Sequence, residues 1–158
     1  MVNTKPVPDG LESAIPHLVV DGADKAIDFY TKAFGAQEIS RAPAPDGKRL
    51  MHAEIQIGQS RIYLCDDFPE WSEGRKSNPN ALGGCTATIH HYVEDCDGVI
   101  QKAEEAGAKV VMKPQDMFWG DRYGMVTDPF GHRWSFATHI KDVTPEEMAE
   151  AAKKVFGG

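Results

Sequence analysis

The sequence predicts an α+β fold: two βαβββ modules in tandem, forming a duplicated, cupped mixed sheet around a central cavity. The first observation behind this is an internal repeat, Ile15–Ala36 set against Thr88–Ala108. The second is that each repeat closes on a helical pattern and runs on into alternating strand segments broken at glycine turns. The third is size: 158 residues with 41% hydrophobic content suffice for one ordinary soluble domain with a real core.

The opening "MVNTKPVPDG" is polar and proline-bearing, unlike a signal or transit peptide, and residues 1–14 read as an N-terminal arm. Residues 15–67 form the expected first module. Its strand "IPHLVV" leads through an acidic turn to a helix in which Ala26, Ile27, Tyr30, Ala33 and Phe34 recur at helical spacing. Asp24 is the expected N-cap and Gly35 the stop. Hairpin turns follow at Asp46-Gly47 and at Gly58, where Ile55 and Ile57 lead into Ile62 and Leu64 in alternation. Residues 68–84, rich in Gly, Pro, Ser and Asn, are the link. The second module, 85–140, repeats the first at a spacing of 73: His17 meets His90, Val20 meets Val93, Asp24 meets Asp97 and Ile27 meets Ile100. Val99, Ile100, Ala103 and Ala106 mark its helix before Gly107, with later turns at Gly120 and Pro129–Gly131. In 141–158, Thr144 to Glu147 form a capping box with Pro145 at the first helical position. Met148, Ala152 and Val155 share one face of that short helix.

A net charge of -7 argues against nucleic acid, and no apolar run approaches the roughly 18–20 residues of a membrane span. Cys65, Cys85 and Cys96 lack metal-like spacing, and an odd count fits a reducing, cytoplasmic setting with the thiols as core filler. No nucleophile elbow, P-loop or GxGxxG is present, which removes hydrolase, nucleotide-binding and Rossmann readings.

The repeat, "AIDFYTKAFGA", "FWGDRYG" and "DPFGHRWSFATH" together resemble the vicinal oxygen chelate superfamily of glyoxalases, bleomycin-resistance proteins and extradiol dioxygenases, in its glyoxalase-like branch. The match runs from about Ile15 to His139. The resemblance implies one divalent ion held by first-strand residues of each module, a third-strand region and a glutamate on the last strand. Carried onto this chain, those first-strand positions are Ile15 and Thr88, the last-strand position is Ser135, and Glu54 is a loose match for the third strand. Ile15 cannot coordinate and neutral hydroxyls are poor ligands for a transition metal. No metal is therefore expected at Ile15, Thr88 and Ser135, and no cofactor. The alternative is one divalent metal (Zn, Ni, Fe or Mn) in a displaced site of His17, His90 and Glu54.

His17 and His90 stand two residues beyond the family's ligand positions, so strand alternation keeps them facing inward, one rung or roughly 6.5–7 Å along. His91 should face the other way, while His132 and His139 read as structural. His52 is expected to line the cavity if the register carries Glu54 outward. Trp119 and Tyr123 are expected to wall a pocket. Arg122 is expected to meet a substrate anion or, structurally, Asp121 or Asp128. Trp134 and Phe136 alternate with Ser135, which puts Ser135 on the cavity side.

Two classes of function remain. One binds a small polar molecule between the modules and acts on it, as a lyase, isomerase or modifying enzyme of the glyoxalase type. Without a metal, Glu54 or a histidine would then be the base and Arg122 the electrophile, with His17, His90, Trp119, Arg122, Tyr123 and Ser135 holding the ligand. The other sequesters an antibiotic or metabolite without chemistry. Both imply a small-molecule ligand, a homodimer covering exposed sheet edges, and neither nucleic acid nor membrane as partner.

Overall fold

The computed structural model describes residues 4–157, which fall into two compact units divided between Gly83 and Gly84. In the first unit, β1 (His17–Val20), α1 (Ala23–Phe34), β2 (Gln37–Pro43), β3 (Leu50–Ile57) and β4 (Ser60–Asp66) build a mixed sheet of order β1-β4-β3-β2. The β1–β4 pair is parallel and the others antiparallel. In the second unit, after the one-turn α2 (Pro79–Leu82) that closes the first, β5 (Thr88–Tyr92), α3 (Cys96–Glu105), β6 (Lys109–Asp116), β7 (Asp121–Thr127) and β8 (Arg133–His139) repeat the pattern as β5-β8-β7-β6. Two tandem βαβββ modules with four-stranded mixed sheets are thus the fold. Among the described residues no helix is long and apolar enough to cross a membrane.

Strand period two sorts the side chains. On β3, Ala53, Ile55 and Ile57 are buried, as are Ile62 and Leu64 on β4, and α1 covers that face with Ala26, Ile27, Tyr30 and Ala33. In the second unit Val126, Trp134 and Phe136 are buried on the face that α3 covers, where a Cβ on Gly124 would stand 3.1 Å from Ile100. Each sheet therefore keeps an opposite, helix-free face whose side chains are the alternate set.

The strands also fasten the helices. Asp24 does not cap α1; the helix starts at Ala23, with Asp24 inside its first turn. Asp66 at the end of β4 takes that role, its Oδ1 accepting from the Gly22 and Ala23 amides at 2.8 and 3.0 Å and its Oδ2 from Leu50 at 2.7 Å. Thr138 on β8 does the same for α3, accepting from the Cys96 amide at 2.9 Å. Asp128 organises the last turn: it accepts from the Phe130 and His132 amides and the Trp134 indole, each at 2.9 Å. The link is ordered by Asp67, which accepts from the Ser77 and Asn78 amides. A final helix, α4 (Pro145–Phe156), carries the expected capping box, with Met148 and Val155 exposed.

Candidate functional site

On the helix-free face of the first unit, β1 places His17 directly opposite Tyr63 on β4, and β3 places Glu54 on the other side of Tyr63. Three rings meet edge-on there: His52–Tyr63 at 4.7 Å, His17–Tyr63 at 6.1 Å and His17–His52 at 6.2 Å. Burial, and then the neighbouring His52, lower the pKa of His17 and favour its neutral form. Glu54 shares the face, but its carboxylate lies 2.8 Å from the Arg61 guanidinium. The expectation that His52 would face inward if Glu54 turned outward is corrected: residues two apart on a strand share a face, and only Ala53 between them is buried.

The second unit repeats this scaffold with different chemistry. His90 on β5 lies opposite Ser135 on β8, and Met125 on β7 lies opposite Ser135 from the other side. By register, Ser135 is therefore the counterpart of Tyr63, Met125 of Glu54, Tyr123 of His52 and Arg133 of Arg61. Ser135, 2% exposed, shares a 2.8 Å hydrogen bond with His90 Nδ1. Tyr92 packs edge-on against the His90 ring at 4.9 Å and Tyr123 stacks on it at 6.0 Å. Trp119 meets Tyr123 edge-on at 5.9 Å. His91 turns to the helix side beside Phe136, where burial lowers its pKa.

At one end of this face Asp121, 5% exposed, accepts from the Tyr92 hydroxyl at 2.8 Å and holds His139 Nδ1 at 2.9 Å. The other His139 nitrogen reaches Asp142 at 3.0 Å. Hydrogen bonds to Asp121 and then Asp142 raise the His139 pKa, and the bond to Asp121 raises that of Tyr92. Burial pushes Asp121 upward, but the bonds from His139 and Tyr92 outweigh it and leave its pKa lowered. His132 is buried beside the thiol of Cys85.

The expectation for Arg122 is corrected. Alternation on β7 sends it to the side opposite Tyr123, where its Nε and Nη2 donate together to the carboxylate of Asp97 on α3, and its Nη1 donates to Asp116 at 2.8 Å. Neither Asp121 nor Asp128 is its partner. Arg133 shares the Ser135 face, and no ion pair or hydrogen bond engages its side chain among the described residues. Two signals in the chain identify it: its even spacing from Ser135, and the matched runs "RIYLCD" and "RWSFAT".

The donors at the positions to which the resemblance points do not suit a divalent ion. Ile15 has none, Thr88 offers a neutral hydroxyl, and the Ser135 hydroxyl is shared with His90. Of the displaced set, His17 and Glu54 share one face, yet Glu54 is held by Arg61. Among the described residues no three His, Cys, Asp or Glu side chains group as a metal site. A separate cavity of about 730 Å³ opens between β5 and α3, but its lining sets Lys102 against Glu94 and Asp95.

The family model "Glyoxalase/Bleomycin resistance protein/Dioxygenase superfamily" matches residues 14–136. An uncharacterized protein of Mycobacterium tuberculosis is 49% identical over 136 residues, which cover 86% of this chain and 79% of that one. The solved structure of an Arabidopsis thaliana gene product shares 27% identity at a TM-score of 0.64, covering 79% of this chain and 97% of its own. TioX from Micromonospora sp. ML1 shares 25% identity at a TM-score of 0.59, with coverage of 81% and 100%.

Proposed function

For a chain that belongs to the Glyoxalase/Bleomycin resistance protein/Dioxygenase superfamily, we propose the binding of a small polar organic molecule on the helix-free faces of its sheets, without a divalent ion at the family positions. The observation that carries this reading is the 2.8 Å bond between Ser135 and His90 Nδ1. It uses the hydroxyl that stands at the family's glutamate position to orient an imidazole, and leaves Nε2 with no partner among the described residues. Tyr92 and Tyr123 fix that ring from two sides. An oriented imidazole between aromatic walls is a combination that binds and positions a polar ligand.

The same nitrogen supports a second reading, in which His90 moves a proton on a bound carbonyl compound in the manner of a lyase or isomerase. Glu54 and Arg122, both already ion-paired, are less suited to that work.

A thermal-shift screen of small polar compounds tests the binding. Hits are expected to stabilise the wild type and to lose most of that effect in His90→Phe, which keeps the ring but not its hydrogen bonds. Hits unaffected by His90→Phe and Ser135→Ala would refute it. Solvent deuterium appearing in a bound carbonyl compound with the wild type and not with His90→Phe would favour catalysis over sequestration.

A further inference from the structure

We propose that Arg133 anchors an oxyanion of the ligand, so that the second module selects a carboxylate-bearing molecule over its neutral counterpart. This rests on the binding face assigned above and names the class of molecule it takes. The two modules carry arginines at equivalent places, Arg61 opposite Gln56 and Arg133 opposite Thr127, each two residues before the β-strand residue that faces the module's histidine. In the first module Glu54 neutralises Arg61 at 2.8 Å. In the second, the residue in Glu54's place is Met125, which offers no charge, and the Arg133 guanidinium has no counter-charge bonded to it among the described residues.

Ser135 follows Arg133 by two residues, so both side chains leave the same face of β8, roughly 6.5–7 Å apart at their bases. An arginine side chain spans that distance. Its fork presents paired donors suited to a carboxylate, within one small molecule's length of the His90 ring that Ser135 holds. Asp121 at the far end of the face is engaged by Tyr92 and His139 and does not compete. On a chain of net charge -7 the general field repels anions, so selection for one needs a local cation of this kind. The strand partner of Arg133 on its other side is Thr88, a neutral residue.

The test compares matched probes, benzoate against benzamide and pyruvate against pyruvamide, by following histidine and arginine side-chain resonances during titration. Each carboxylate is expected to bind at least roughly tenfold more tightly than its amide. Arg133→Met should erase the preference, and Arg133→Lys should keep part of it. Met125→Glu, which recreates the first module's ion pair, should also erase it while Arg133 is still present. Equal binding of acid and amide at the His90 face would overturn the anchor and leave the binding reading standing. A preference that survives both Arg133→Met and Met125→Glu would overturn it too. Failure of all four probes to perturb that face would refute the anchor and count against the face itself.

Discussion

Replacing Ser135 by glutamate restores the residue that the family resemblance places on the last strand, and the structure predicts that this chain cannot use it. Ser135 is 2% exposed, flanked by the buried Trp134 and Phe136, and has Met125 and His90 opposite it. The added atoms overpack the site at a cost of about 1–3 kcal/mol. The new carboxylate adds a desolvation penalty of several kcal/mol. Arg133, two residues earlier on the same face, is the permanent cation within reach, and a pair about 4 Å apart returns at most about 4 kcal/mol at an effective dielectric near 20. The net expectation is a loss of about 3 kcal/mol at pH 8. Urea denaturation at pH 8, with and without added zinc, nickel or manganese, reads this directly. Wild-type stability at pH 8, or a saturable rise with metal that His90→Phe abolishes, would show that the donor set accepts an ion after all.

Asp66→Ala leaves three buried or half-buried amides without an acceptor and should cost about 3–4 kcal/mol in denaturant melts, with Asp66→Asn costing less. His139 has a raised pKa, so its contribution is fully present below about 6.5 and is lost as pH rises through the folded value. Its Cε1–H resonance should titrate above 6.5 and fall back in Asp121→Asn. Light scattering at micromolar concentration should report a homodimer, since the half-exposed strand β5 presents an unpaired edge in its sheet; a monomer would remove that proposal.

The module architecture was legible because both copies keep the same apolar periodicity around the same turns, down to Gly58, Gly120 and the capping box at Thr144. The facing of Ser135, His17 and His90 was legible for the same reason, since alternation needs only a neighbour of known burial. The cap of α1 was not: Asp66 lies 43 residues from Ala23, and only the parallel pairing of β1 with β4 brings them together. Arg122 and Tyr123 look like one cluster in the chain, but adjacent strand residues point apart. Parity with Ser135 would have selected Arg133 instead. The pairing of His139 with Asp121 depends on the β7–β8 register, which no local pattern specifies.

The six histidines report most directly on where a ligand sits. Their Cε1–H resonances, assigned by single substitutions and followed as screening hits are added, separate the helix-free faces from the rest of each unit. Shifts should concentrate on His90, with His17 and His52 moving if the first module contributes, while His132 stays fixed in its buried turn. Ser135→Ala should weaken the His90 response about three- to tenfold, the worth of a ring held by one hydrogen bond near 1 kcal/mol. Hits that move His139 or His132 and leave His90 unchanged would contradict the account.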